Sequence, residues 1–184
     1  MNPSRNRFEK RELTTRSRGG SPVSARSAKM GSVPVRSFSL SAIVDASPER
    51  VIDFLMQLDA HRGMHPYLQS AQLVGSGVDS GDHPWWDWRI VERPALGPLR
   101  YTIRFPARMT REAETAMRGR VRAARGCWLL TATSAVAGER GTEVHETTTV
   151  TAPWPVVGYM TKHARIAHAR TFAHLPAELS RTVS

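Results

Sequence analysis

The chain is short of the features that usually announce a chemistry. It has one cysteine, Cys127, among 184 residues, which excludes an intrachain disulfide and points to a reducing compartment. Cys127 precedes Trp128, Leu129 and Leu130. Nothing near it would lower a thiol pKa, so it reads as a small buried hydrophobe. No run approaches the ~20 apolar residues that cross a bilayer, and no apolar segment follows the charged N-terminus as a secretory signal requires. The expected location is cytoplasmic. No phosphate loop, dinucleotide fingerprint or Gly-x-Ser-x-Gly elbow is present. His61 and His65 are four apart, as in a helical zinc pair, but the glutamate of H-E-x-x-H is missing and Gly63 opposes a helix. His83 and His163 do not complete a set. No metal and no cofactor is expected.

Acids are also scarce. Lys and Arg number 26 against 16 Asp and Glu, a net charge of +10. Most of the excess lies at the start: residues 1–36 carry nine basic and two acidic residues, +7, whereas the rest carries 17 and 14, only +3. Residues 1–35 are rich in Ser, Arg, Gly and Pro and have no periodic apolar residues. Such a segment cannot bury enough surface to offset its ordering entropy, so it is expected to be a disordered basic tail. Three readings compete, in falling order: an untranslated stretch before Met30, an arm touching nucleic acid or anionic lipid, and a targeting peptide. Residues 36–184 are expected to form one domain, with a core that needs neither disulfide nor metal.

Periodicity organises that domain. Phe38, Leu40, Ala42 and Val44 alternate with serines, the pattern of a half-buried strand. Ser47-Pro48-Glu49 is a helix start, followed by Val51, Ile52, Phe54, Leu55 and Leu58 at helical spacing. A second short helical piece is expected over His61 to Leu68. From Ala71 to Thr151 about six strands follow, separated by Gly75-Ser-Gly77, Ser80-Gly-Asp82, Leu96-Gly-Pro98, Arg125-Gly126 and Gly138 to Gly141. The clearest strands are Arg100 to Met109 and Met117 to Ala123. Pro106 points to an edge or bulge. After Pro153-Trp154-Pro155 a long helix is expected to about Ser180, with Val157, Thr161, Ala164, His168, Thr171, Phe172 and Leu175 on one stripe. Ile166 falls off that stripe, and Pro176 is expected to kink or shorten the end.

Three segments carry a resemblance. Ala46-Ser-Pro-Glu-Arg-Val-Ile-Asp-Phe-Leu55 is a strand-to-helix junction, Met64-His-Pro66 turns into a strand ending near Gly75, and Gly141-Thr-Glu-Val-His-Glu-Thr-Thr-Thr149 runs through Pro153 into the long helix. Taken in order, they resemble the polyketide cyclase/dehydrase-like branch of the START/Bet v 1-like (SRPBCC) superfamily over about residues 35–180. The resemblance implies an α+β helix-grip fold: a curved antiparallel sheet of about seven strands around a long C-terminal helix, with two short helices after the first strand. It also implies a cavity for a lipid, polyketide or isoprenoid-like molecule, since proteins of this fold bind such ligands and some catalyse cyclisation or dehydration.

Alternation assigns Trp86, Trp88, Ile90, Tyr101, Ile103, Phe105, Met117, Val121, Trp128, Leu130, Val144 and Val150 to the inner face, opposite Thr161, Ala164 and Phe172 of the helix. These residues either line a cavity or simply fill a core. His168, in the helix stripe, is a candidate acid/base or ligand anchor, or a satisfied core histidine. Glu92 and Glu146 share inner faces, where a carboxylate is costly unless paired or protonated. Tyr101 is placed to donate to a ketone. His168, Glu92 and Tyr101 are thus the catalytic candidates, and Glu146 joins the ligand-binding set. Arg100, Arg104, Arg108, Arg118, Arg120 and Arg122 are expected on the outer face, solvated or facing anionic lipid or an acidic protein. Nucleic acid is disfavoured, because the aromatics alternate inward. The expectation is a small hydrophobic ligand in a cavity. A cyclase/dehydratase enzyme and a membrane-surface or nucleic-acid binder using the tail and the arginine face are the alternatives. Oligomeric state is left open.

Overall fold

Serine and apolar residues alternate at the start of the domain, and a strand forms there, β1 (Val35–Val44), with Phe38, Leu40, Ala42 and Val44 more buried than their neighbours. The computed structural model describes residues 33–181. The expectation of a basic tail therefore lies outside the described residues, apart from the last few before β1. Ser47 starts α1 (Pro48–Met56): its Oγ accepts the Arg50 N–H at 3.3 Å, Pro48 takes the first turn, and Glu49 sits near the positive end. Val51, Ile52, Leu55 and Met56 are buried. The second short helix expected over His61 to Leu68 is instead a 3-10 turn at Leu58–His61. The chain then passes through Gly63 at φ +100 and Pro66, neither of which continues a helix.

The strands β2 (Leu68–Val78), β3 (Pro84–Glu92), β6 (Ile103–Ala113), β7 (Ala116–Ala124), β8 (Cys127–Gly138) and β9 (Gly141–Thr151) join β1 in a curved seven-stranded antiparallel sheet, ordered β1-β9-β8-β7-β6-β3-β2. A separate small hairpin pairs β4 (Ala95–Leu96) with β5 (Leu99–Arg100). The helix α2 (Val156–Arg181) packs on β1 and buries Val157, Ala167, Thr171, Phe172, Leu175 and Leu179. This is the helix-grip architecture.

Five local expectations are corrected. Gly75-Ser-Gly77 is not a turn but part of β2. A side chain at Gly77 would come within 2.7 Å of the Trp85 indole, so glycine there makes room for the ring. The reversal lies at Asp79, whose Oδ1 accepts the N–H of Gly81 at 2.8 Å and of His83 at 3.0 Å. Pro106 sits in an interior strand: β6 pairs with β3 and with β7, but the β7 ladder begins at Ala107, so the proline falls where that ladder ends. Arg100 and Tyr101 precede β6, because Leu99–Arg100 turns back on Ala95–Leu96. Pro176 does not end α2, which runs on to Arg181.

The fifth correction moves a whole strand face. Trp128 and Leu130 point outward, not inward. An unbulged two-residue turn at Arg125-Gly126 would set Trp128 opposite Ala123, on the inner face. A bulge at Ala123 instead pairs Trp128 with Arg122 and Leu130 with Arg120. The Arg120 and Arg122 guanidinium carbons lie 4.7 and 5.6 Å from the Trp128 ring centre, and Leu130 is 42% exposed. On β3, Trp85 lies under Arg108 in the same manner at 4.0 Å. The outer face thus carries aromatics as well as arginines.

The main core joins α1, the inner faces of β3, β6 and β7, and the last turns of α2. Leu175 is wholly buried there, whereas Ile166 is 44% exposed, as its place off the helix stripe predicts. Leu175→Ala should cost about 2–5 kcal/mol in urea unfolding. Ile166→Ala should stay within about 0.5 kcal/mol of wild type.

Candidate functional site

Between the sheet and α2 lies a cavity of about 360 Å³. Strands supply most of its wall, so period-two alternation decides which side chains reach it. Ile90 and Glu92 come from β3, Ile103 and Phe105 from β6, Met117 and Val121 from β7, Glu146 from β9, and Ala164, His168 and Phe172 from α2, with Tyr101 preceding β6. All eleven were expected at the site. Trp86, Trp88, Val144 and Val150 do face inward but do not line the cavity. Trp88 and Val144 are buried in the core that α1 closes, Trp86 packs against that core, and Val150 belongs to a second cluster with Val157. Thr161 is also outside the lining, its hydroxyl donating to the Val157 carbonyl at 2.7 Å. Trp128 and Leu130 are on the opposite face.

Other lining residues were not anticipated. His61, His65 and Tyr67 enter from the 3-10 turn and the segment after it, and Tyr159 and His163 from α2. The 4-residue spacing of Tyr159 and His163 on α2 was the available signal for that pair. His61 and His65 drew attention only as a metal pair. Among the described residues no group of three or more His, Cys, Asp or Glu is arranged to hold a metal ion.

The inward carboxylates meet the cost of burial in two different ways. Glu146 Oε1 accepts from His168 Nδ1 at 2.6 Å, and the Thr148 and Thr133 hydroxyls donate to its two oxygens at 3.1 and 3.4 Å. Burial alone would raise the Glu146 pKa, but the His168 charge and these donors hold it below the usual carboxyl value. Burial would likewise lower His168, and Glu146 outweighs it and raises it. The two therefore form an imidazolium–carboxylate pair with its donors in place. Glu92 has no such partner, and burial pushes it up to about 7. His65 Nε2 lies 3.5 Å from Glu92 Oε1, but burial, then the charges of His168 and His61, lowers His65 to about 3. That contact is between a neutral imidazole and a carboxyl titrating near neutrality, not an ion pair. His61 is lowered by burial to about 4, and its Nε2 has no hydrogen-bond partner among the described residues.

A second polar group stands nearer the surface. Tyr101 and Tyr159 hydroxyls are 2.7 Å apart, His163 Nδ1 is 3.2 Å from the Tyr67 hydroxyl, and the His163 ring lies tilted against Tyr159 at 4.2 Å between centroids. Burial and the Tyr159 hydrogen bond raise Tyr101 to about 12, so it is a neutral donor at any ordinary pH. The arrangement provides apolar walls, one charged pair, one carboxyl near its titration point, and neutral donors and acceptors.

The signs of these shifts differ. His168, raised, adds stability that is present below the ordinary imidazole value and lost as pH climbs through its folded value. Glu146, lowered, adds stability present above the ordinary carboxyl value and lost as pH falls through its folded value. Glu92 does the reverse. Between 4.5 and about 7 the folded chain holds more protons there than the unfolded chain, so stability falls as pH rises, and the loss is complete above that range. Glu92→Gln should therefore raise stability at about pH 8 by on the order of 1–3 kcal/mol, and change it little at about pH 4. Thermal unfolding of both proteins across pH reads this directly.

No protein-family model and no curated protein matches this sequence. Solved structures do match its fold. The Zhui aromatase/cyclase from Streptomyces sp. R1128 is 12% identical, with a TM-score of 0.65 over 82% of this chain and 97% of that one. Ara h 8.0201 is 13% identical, with a TM-score of 0.60 over 80% and 99%. A START superfamily protein from Mycobacterium smegmatis is 14% identical, with a TM-score of 0.55 over 80% and 98%. At such identities the likeness is one of fold alone: this chain shares the helix-grip architecture of those structures.

Proposed function

We propose that this protein binds a small hydrophobic molecule carrying at least one oxygen function, of lipid, polyketide or isoprenoid type, in the cavity between sheet and α2. The observation that carries the reading is the cavity's makeup: about 360 Å³ walled mainly by Ile90, Ile103, Phe105, Met117, Val121 and Phe172, with the His168–Glu146 pair built into that wall. This volume falls within the roughly 300–1,000 Å³ of small-molecule pockets. Apolar walls favour an apolar body through area removed from water. His168 has an N–H to offer a carbonyl, and the free Nε2 of His61 is an acceptor for a hydroxyl. The test is native followed by denaturing mass spectrometry of protein purified from its own host. A discrete small molecule released on denaturation is expected, and Ala164→Phe, which projects into the cavity, should lower occupancy about tenfold or more. A clean ligand-free mass, with no thermal stabilisation across a panel of hydrophobic compounds, would count against the reading.

A second reading, a cyclase/dehydratase acting on a polyketide-like substrate, is favoured by Glu92. A carboxyl titrating at about 7 is suited to take a proton from a carbon beside a ketone and then give one to a departing hydroxyl, which leaves as water. His168 would meet the developing enolate oxygen, and Tyr101 would orient a second oxygen. Aromatase/cyclases are among the proteins that share this fold, which supports the reading. On this reading Glu92→Gln lowers turnover about 10²–10⁴-fold while ligand occupancy stays within a few-fold. Equal loss of both would mean that Glu92 only shapes the cavity.

A further inference from the structure

Three of the residues that line the cavity are exposed, and the segments that carry them have an unusual surface. Among its lining residues, Tyr101, Ala124 and Val156 are the exposed ones and mark the opening. They belong to three separate segments: the chain around the β4–β5 hairpin, the β7–β8 turn, and the start of α2. Packing draws these together. Tyr159 bonds the Tyr101 hydroxyl at 2.7 Å and reaches the Ala95 carbonyl at 3.5 Å, and Gly126 lies against Pro153.

Two observations about this rim point the same way. First, it exposes large apolar side chains: Trp154 is 75% exposed, Leu99 69%, Val156 41% and Tyr101 36%. Single exposed apolar residues are ordinary, but Tyr101 and Val156 line the cavity and Leu99 and Trp154 stand two residues from them in the chain, so four lie in two short segments beside the opening and mark a contact surface. Second, the rim has no acids. Residues 93–111, 115–138 and 147–177, which include all three segments, contain no Asp or Glu. They do contain Arg93, Arg100, Arg125 and Lys162, all exposed, and none is within ion-pair distance of a carboxylate among the described residues.

We propose that this rim docks, mouth down, on an anionic phospholipid bilayer, so that an apolar molecule passes between bilayer and cavity without crossing water. The rim fits this occupant from both sides of its chemistry. Trp and Tyr settle at the headgroup level, where one end of the ring is apolar and the other wet. Unpaired cations gain from the negative surface potential, and no carboxylate opposes them. An acidic protein would engage the cations but leave Trp154 and Leu99 without a stated partner, whereas the bilayer engages both sets. The site differs from the arginine face on β6 and β7 and from the basic residues before the domain. It requires the mouth but not an identified ligand.

The experiment is sedimentation of the full chain with phosphatidylcholine vesicles, with and without phosphatidylserine. Binding is expected only to the anionic vesicles, weakening as salt rises. Trp154→Ser combined with Leu99→Ser, and separately Arg100→Glu combined with Lys162→Glu, should each weaken it tenfold or more. All four side chains are at the surface, and thermal unfolding confirms that each variant folds. Brominated lipid should quench part of the tryptophan fluorescence in wild type, and Trp154→Phe should lose that part. Three results would each overturn the proposal: no binding to anionic vesicles, binding untouched by both double variants and so carried by residues 1–32 or the arginine face, or quenching unchanged in Trp154→Phe. Native mass spectrometry on the same samples reports cavity occupancy, so failure of vesicle binding and failure of the ligand-binding reading are separable.

Discussion

A single long helix cannot cover seven strands, and the rest of the structure follows from that mismatch. Strands spaced ~4.8 Å apart make a sheet roughly 30 Å wide, whereas a helix with its side chains is ~10–12 Å across. α2 packs on β1 and reaches across the inner face, and α1 with Trp88 and Val144 fills one end. What is left uncovered is the cavity. The inner face of the sheet is mainly Ile, Phe, Met, Val and Ala, whereas the outer face mixes Arg, Ser and Thr with Trp85, Trp128 and Leu130. The space is thus not a packing defect at one residue but a consequence of architecture, and the chain fixes only what lines it.

That lining sorts its ionisable groups by environment. Glu92 and Glu146 are the same residue type on inward faces, yet one is held ionised and the other lifted to about 7. The difference is geometric. Glu146 on β9 accepts from His168 and the Thr133 and Thr148 hydroxyls, while Glu92 on β3 lies beside a neutral His65, and the His168 charge offsets only part of the effect of its burial. A pair of groups pushed apart in this way can serve either an acid/base reaction or the recognition of an oxygen-bearing ligand. Pairing favours the charged forms of His168 and Glu146, whereas burial lifts Glu92 to about 7.

Much of this was legible in sequence because period-two alternation survives wherever a strand is regular. β1, β3 and β6 present the residues their patterns predict, and His168, Glu92, Tyr101 and Glu146 all reach the site. The dilemma of two inward carboxylates was visible too, although not which would be paired. Legibility failed where one residue changed the phase. The bulge at Ala123 turns Trp128 and Leu130 outward, and the apolar look of those residues concealed it, since the inner face of β8 reads Cys127, Leu129, Thr131 and Thr133. It failed again at His61 and His65. Their positions depend on a 3-10 turn and a left-handed Gly63, which carry no periodic signal.

The two polar groups of the cavity also differ in depth, and this constrains how a ligand can lie. The Tyr101–Tyr159 contact is at the exposed opening, while Glu146, Thr148 and His61 are buried. An amphipathic molecule entering between Tyr101, Ala124 and Val156 meets neutral hydroxyls first and the charged pair afterwards. Its oxygen function must lose its hydration before it meets His168, and only a group that can accept from the imidazolium recovers that cost. A purely hydrocarbon ligand would fill the apolar walls but leave His61 Nε2 unpaired. On the binding reading proposed above, the buried groups would select for oxygen at one end of the ligand and the walls for an apolar body behind it, irrespective of whether a reaction follows.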